Sequence, residues 1–559
     1  IESIPVTRNG KLDKRALPEI EAMAMKEYIA PRNNTEEILC SAFQDVLRVK
    51  NIGIHDNYFE LGGDSIKAIR IISKLRNYGY SISVKDILSS KTIEKIATKL
   101  EKSRIIMVYE QGEVNGRVEK TPIIRRFENL NLAHPEHYNQ AMMFTLTGID
   151  NNIIKDALNK IVKHHDMLRV VYRNNELEIL PSDESLLFDL YEFDYSYEAD
   201  KHMAVESKCT EIQRGIDLSG GPLVKAAIFE LGYKKIMMLC IHHLAIDGVS
   251  WRIIGEDLET VLRQIASDET IELPKKTASF NEWAVTLNEY STSEEFEQDK
   301  KYWKKIIPEL SNCELIHEFE SDKFDGYDSI DISLTSNETT TLIKESHNAF
   351  NTEITDLLLS ALSEAVYRYN EQDRVLVYLE GHGREQLHKN IDIDRTVGWF
   401  TSVYPVIIEA SDDWDDTIVH NKNMYHSIPN KGIGYGLLKE DEENIDGIEF
   451  NYLGEFDESQ NGKNSEEVYS IGLSIAETNK RECSISINGS VSNGILSFNI
   501  SYDKNLYSDS GVKMFAQHFH DTLVEIGEYC VNKDETVITA SDFDSSMDEE
   551  DFEGIVDLL

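Results

Sequence analysis

No run of apolar residues in this chain approaches the roughly 18 needed to cross a bilayer. Its start has no basic, apolar and small-residue leader pattern. Positive charge is scarce: 57 Lys and Arg against 100 Asp and Glu give a net charge of -43. A surface so acidic is repelled by nucleic acid and by anionic membranes, so neither is expected as a partner. The six cysteines (Cys40, Cys209, Cys240, Cys313, Cys483, Cys530) show no Cys-x-x-Cys spacing and no metal-site pattern. Reduced thiols in a cytoplasmic protein are the expectation, with no clustered metal ligands. An initiating Met is missing too: the chain starts at Ile1, which points to a piece of a longer polypeptide.

At 559 residues the chain exceeds one hydrophobic core, and three or four domain-sized units are expected. The stretch Ile236–Trp251 stands out. Six consecutive apolar residues, Ile236–Ile241, predict a fully buried strand. His242 and His243 follow it, then Asp247-Gly248, then a helical pattern opening at Trp251 with Ile253, Ile254, Leu258, Val261 and Leu262 inward. Such a strand end can hold a proton-transfer group at a pocket edge. Read alone, the pair fits satisfied core histidines better than a catalytic pair.

Residues 1–20 carry an Asn9-Gly10 turn between two extended pieces, the pattern of a small hairpin. A compact bundle is expected over 28–102. Asn34 and Glu37 have capping-box spacing, and Ile38, Leu39, Phe43, Val46 and Leu47 line one face. A second helix starts near Ser65 with Ile66, Ile69, Ile72 and Leu75 inward, and short helices cover Val84–Leu88 and Thr92–Leu100. Gly62 and Gly63 allow a tight turn and Asp64 can cap. Ser65 then opens a helix, where free N–H groups and the dipole favour a phosphate ester. Simple capping by Ser65 accounts for the same residues.

Asn57–Ile66 resembles the attachment motif of peptidyl carrier domains of nonribosomal peptide synthetases. The resemblance implies a 4'-phosphopantetheine arm on Ser65, flanked by Gly63 and Asp64, and loaded by a phosphopantetheinyl transferase. Pro5–Leu17 resembles the last motif of an adenylation domain, with Lys11 matching its catalytic lysine; an adenylation domain upstream in cis follows from that likeness. Residues 103–120 read as a polar, helix-free tether, which raises the effective concentration of a docked carrier to the order of mM.

From 121 to 545 helical and strand patterns alternate. Helices are expected over 150–165 and 352–370, and strands over 168–172, 375–379, 403–408, 450–453 and 494–501. Helix-rich sequence from Glu282 to Ile307 marks the passage between two α/β lobes, about 121–290 and 291–545. Residues after Ser541 are acidic and expected to fray, with an apolar end at Ile555–Leu559; the tail at 546–559 could meet a downstream condensation domain in cis or trans.

His242–Gly248 has the His-His-x-x-x-Asp-Gly pattern of condensation and epimerization domains. Glu380–Glu385, Arg395–Ser402, Ile428–Gly436 and Phe450–Phe456 are similar to motifs of the epimerization branch. The resemblance implies a two-lobed, chloramphenicol-acetyltransferase-like α/β domain behind a four-helix carrier. His243 and Glu380 would face each other across the α-carbon of a carrier-tethered aminoacyl or peptidyl thioester. Their task would be to convert it to the D-configured intermediate used in antibiotic biosynthesis. Asn451 and Tyr452 would lie by the thioester, and Asp247 would hold the histidine turn through Arg384 or Arg395. Ser250 would hydrogen-bond near the arm, while Trp251, Trp399 and Tyr435 would pack. His382 and Glu385 would support the site from behind. His164-His165 reads as structural. Pyridoxal phosphate is not expected; the motifs of 121–545 hold a single lysine, Lys431. Two rivals remain: a condensation domain forming a peptide bond, and a docking scaffold without catalysis.

Overall fold

The computed structural model describes residues 28–47, 49–63, 65–82, 84–102, 109–183, 186–385, 387, 391–438, 445–456 and 468–543. The hairpin expected before residue 20, Lys11, Asp64 and the tail at 546–559 lie outside them. The chain divides into two compact units, Ile1–Ile106 and Met107–Leu559.

In the first unit, helices Asn34–Leu47, Ser65–Asn77, Val84–Ser90 and Ile93–Lys99 surround one small core. Leu39, Phe43 and Val46 meet Ala68, Ile71, Ile72 and Leu75 there, with Ile87, Ile93 and Ile96 closing it. The first helix is capped one residue earlier than its sequence suggests. The Asn33 side chain accepts from Glu36 N–H at 3.0 Å, and the Glu36 carboxylate accepts from Arg32 N–H at 2.7 Å. Asn33 wins because Arg32 also binds Glu36 through its guanidinium, closing the turn from outside.

The second unit has two lobes. In the first, a four-stranded sheet runs in spatial order Asn139–Thr145, Lys235–His242, Val224–Glu230, Asp189–Asp194. Lys235–His242 is central, so both faces are covered, and every residue from Ile236 to His242 is buried. Helices Asn151–His164 and Gly248–Ala266 pack together. The latter starts at Gly248 rather than Trp251, because the Asp247 side chain caps it by accepting from Ser250 N–H at 2.7 Å. The strand expected over 168–172 is shifted: Asp166–Arg169 is a 3₁₀ turn and the strand is Val170–Arg173.

Gly116–Val118, placed in the tether by its polar composition, is a strand paired with Glu176–Ile179. Its Val118 side chain is buried in the first-lobe core, which decides the matter against local polarity.

The second lobe is built on a six-stranded sheet: Tyr327–Ser333, Ile495–Asp503, Ile485–Ser492, Ile448–Phe456, Arg374–Gly381, Ser402–Glu409. Helices Ile354–Asn370 and Asp509–Val531 lie against each other in its core. Ala540–Phe543, its last two residues expected to fray, is a helical turn held by Asp542, which pairs with the buried Lys422 ammonium at 2.8 Å. Trp399 and Phe400, between the strands Arg374–Gly381 and Ser402–Glu409, join the first-lobe core. That segment therefore carries apolar side chains of the second lobe into the first-lobe core.

Candidate active site at the lobe junction

The two histidines at the end of the central strand occupy different surroundings. His242 is fully buried: its Nε2 donates to Pro135 O at 2.8 Å and its Nδ1 accepts from Leu244 N–H at 3.2 Å. Burial pushes its pKa down to about 3, so the ring is a neutral, satisfied core group. His243 is only half-buried. Its ring stacks on Tyr138 (5.6 Å between centroids) and lies 4.2 Å from the Trp399 ring. Burial by those rings also holds its pKa below the usual imidazole value.

The turn that presents His243 is tied to the second lobe. Asp247 accepts from Phe400 N–H at 3.0 Å and receives the Arg384 guanidinium at 3.3 Å. Arg384 also donates to Ile393 O (2.9 Å) and Thr396 O (2.8 Å) and lies over the Phe400 ring at 3.8 Å. Of the two arginines proposed for Asp247, it is Arg384; Arg395 pairs instead with Asp257 and Glu256. Ser250 is not near a substrate arm. It is wholly buried, donating to Gly398 O at 3.0 Å and accepting from Gly398 N–H and Arg384, each at 3.1 Å. A serine capped inside a helix turn and facing the neighbouring lobe has no route to solvent.

Glu380 lies near the end of the strand Arg374–Gly381. Protein surrounds it densely, yet its side chain is solvent-accessible. Asn451 Nδ2 donates to Glu380 Oε2 at 2.9 Å. Dense surroundings and the neighbouring Glu449 carboxylate raise the Glu380 pKa to about 7, against a smaller opposing pull from Arg126. Tyr138 connects the two halves of the site. It stacks on His243, and its phenol is raised above its ordinary pKa by burial and by the charges of Glu449 and Glu380. Tyr452 lies on the other face of its strand, with Ile448 and Phe450, at the edge of the second-lobe core. His382 accepts from Arg384 N–H at 3.0 Å and meets Glu385 at 3.2 Å. Trp251 and Tyr435 pack as expected, but Trp251 also donates to Gln140 Oε1 at 2.8 Å, and Gln140 reaches His243. Gln140 belongs to none of the recognised motifs and was missed; pairing of its strand with the histidine strand is the signal that exposes it.

The expectation of no clustered metal ligands needs correction. His164, His165 and Asp257 bring three donor atoms within 4.8 Å of one another, across a sequence gap that spacing rules do not span. The cluster is satisfied as protein: His165 Nε2 meets Asp257 Oδ2 at 2.8 Å and Asp257 also holds the Arg395 guanidinium. A fixed positive charge there competes with any cation.

In the first unit, the turn before Ser65 is shaped by an aromatic residue. Tyr58 is buried between Phe43 and Phe59, and a Cβ on Gly63 would fall 2.4 Å from its ring. Gly63 is required for that closeness, which fixes the turn from which the helix Ser65–Asn77 starts.

Comparison with known proteins gives the same division. Residues 37–100 match the phosphopantetheine attachment site family and residues 121–547 match the condensation domain family. Gramicidin S synthase 1 of Brevibacillus brevis is 36% identical, with 100% of this chain aligned to 54% of that protein. Bacitracin synthase 3 of Bacillus licheniformis is 38% identical over 97% of this chain and 9% of its own length. The chain thus spans about half, or much less, of these relatives. Among solved structures, the epimerization domain from the third module of tyrocidine synthetase B superposes with a TM-score of 0.72 at 32% identity, covering 76% of this chain and 100% of that one. A starter condensation domain of rhizomide synthetase, at 13% identity and a TM-score of 0.58, shares the fold.

Proposed function

The chain belongs to the condensation-domain family of nonribosomal peptide synthetases and carries a phosphopantetheine attachment domain ahead of its two-lobed, chloramphenicol-acetyltransferase-like unit; from that premise we propose that it epimerizes the α-carbon of an aminoacyl or peptidyl thioester held on its own carrier. The observation that carries this reading is Glu380. A second proton-transfer group, raised to about 7 and held by Asn451, accompanies the accessible His243. Inverting a stereocentre needs an acid and a base on opposite faces, each contributing roughly 10² to 10⁴-fold. Peptide-bond formation needs no such second group.

The arm on Ser65 supplies a thioester, whose carbonyl acidifies the α-proton. The start of a 13-residue helix behind the fixed Gly63 turn is compatible with an esterified Ser65. Asn451 holds the Glu380 carboxyl in one orientation. Asp247 and Arg384 hold the His243 turn against the second lobe, and Tyr138 and Trp399 restrict water around the imidazole. Tyr452, carried over from the family motif, faces away from Asn451 into the edge of the second-lobe core, so its part would be to support the strand behind the site. The reading also implies an upstream adenylation domain, a downstream condensation domain and a phosphopantetheinyl transferase as partners in a cytoplasmic assembly line.

The test is direct. Ser65 is loaded from L-alanyl-, L-leucyl- and L-phenylalanyl-coenzyme A with a phosphopantetheinyl transferase, in D₂O. Deuterium at Cα and the chirality of the released acid are then measured. Exchange and D-product are expected with at least one side chain, and Ser65→Ala should accept no arm. A wild-type chain that loads but exchanges no α-proton defeats the proposal; dipeptide formation with an added amine acceptor would favour condensation instead.

A further inference from the structure

Gln140 lies opposite Ile241 in the antiparallel pair of Asn139–Thr145 with Lys235–His242. Its side chain therefore shares a sheet face with His243, two residues further on. The Gln140 amide nitrogen is 2.8 Å from His243 Nε2, and its carbonyl oxygen accepts from Trp251 Nε1 at 2.8 Å. An indole nitrogen only donates. Turning the amide round would set its NH₂ against the indole N–H, so its orientation is fixed. The amide nitrogen also only donates, so His243 Nε2 must accept and carries no proton. The proton of the neutral ring is then on Nδ1.

Resting on the epimerase reading above, we propose that Gln140, locked by Trp251, is a positioning residue that keeps His243 in its neutral Nδ1–H form and so makes it the proton acceptor of the resting enzyme. Glu380 is then the donor. In the step that follows, the Cα–H bond breaks, its electron pair stays on the thioester and the proton goes to Nε2. The Glu380 carboxyl gives its proton to Cα from the other side. Imidazolium and carboxylate are reset by moving one proton between them through solvent, so no external acid, base or oxidant is consumed. The arriving substrate must take the place of the Gln140 NH₂ at Nε2. While the amide remains there, an Nε2–H would face a second donor, which disfavours the imidazolium.

Gln140 shares this control with the backbone: the His243 and Ile246 main chain also bears on the ring and favours a ring N–H, while the other side chains packed there do not compete at Nε2. Asp247, at the start of the following helix, is paired with Arg384; His242 is neutral; Tyr138 and Trp399 present ring faces.

Two measurements on the full chain test the assignment. First, ¹⁵N NMR of the histidine side chains, without any arm or substrate, should show His243 with Nδ1 protonated and Nε2 bare. Gln140→Leu should raise the Nε2–H population, and Trp251→Phe should do so by a smaller amount. Second, Gln140→Glu offers an acceptor to both the indole and an Nε2–H. Its acid limb in the pH profile of α-proton exchange should move up by about one unit, a roughly tenfold loss of rate at a pH on that limb. A wild-type Nε2–H tautomer, or a Gln140→Glu profile that superimposes on wild type, overturns the proposal. Absence of exchange in the wild type would overturn the epimerase reading instead, and the NMR result would still decide the tautomer.

Discussion

Two neighbouring imidazoles end the same strand, yet only one is left partly accessible. Alternation along a strand turns them to opposite faces: His242 into the core, bonded at both nitrogens, and His243 to the junction with one nitrogen on Gln140. The pattern His-His does not contain that difference; it comes from what pairs with the strand. Glu380 shows the same dependence. Its strand register sets Tyr378 opposite Glu449, which places Glu449 and Glu380 on one face as diagonal neighbours. The like charge helps raise the Glu380 pKa, so removing it should lower that value. In the donor role proposed for it, Glu380 would be active when protonated, and exchange through it would fall as pH rises through about 7. In Glu449→Gln this alkaline limb should move to lower pH, read from initial exchange rates; an unmoved limb would mean that Glu449 does not act on Glu380. The Asp247–Arg384 pair gives a second residue-level expectation. Both side chains are buried, and Asp247→Ala would strand the guanidinium while also removing the acceptor of Ser250 N–H and Phe400 N–H. Stability should drop by about 3–5 kcal/mol in denaturant unfolding, with Asp247→Asn losing less.

At the scale of elements, the site is made where two strands stop. Lys235–His242 and Arg374–Gly381 were legible because both are apolar runs buried on each side, the pattern of interior strands. Helix starts were less legible: Asn33 rather than Asn34 caps the first helix, and Asp247 extends the helix after His243 back to Gly248. In each case a side chain three residues upstream captures a free N–H group, and spacing alone leaves several acceptors to choose from. The helix Asp509–Val531 was not anticipated, although Val512, Phe515, Phe519, Leu523 and Ile526 repeat at helical spacing; its role is to fill the second-lobe core rather than to carry a motif. The segment after Glu380 shows how a motif residue serves an element. Gly383 has φ +65°, and a Cβ there would fall 1.7 Å from Phe400 O. Only glycine lets this turn lie on the backbone of the segment that carries Trp399. Gly383→Ala should force the two segments apart, reduce exchange by at least tenfold and lower the unfolding midpoint, with circular dichroism at low temperature showing the fold retained.

Among the described residues, three sizeable hydrophobic clusters share no buried residue: one in the carrier unit and one based in each lobe of the second unit. Trp399 and Phe400 belong by sequence to the second lobe and by packing to the first, and Leu438 packs against both lobe cores. That exchange is why lobe boundaries drawn from alternating patterns do not coincide with the cores. None of the six cysteines is bridged and all are buried, with burial raising the Cys40 thiol to about 11. Stability should thus be indifferent to reductant: unfolding midpoints with and without dithiothreitol should agree, and a thiol reagent should find about six slow groups in the native chain that all react once it is unfolded. The separate cores lead to a further expectation. Phe43 is a fully buried ring in the carrier core, and Trp303 is fully buried in the second lobe. Truncating either to alanine removes transfer energy and leaves a cavity, at a cost of about 3–5 kcal/mol. If each unit unfolds on its own core, calorimetry of Phe43→Ala should shift a small transition and leave the large one unmoved, while Trp303→Ala should do the reverse. A single transition displaced by both substitutions would show instead that carrier and catalytic unit unfold as one.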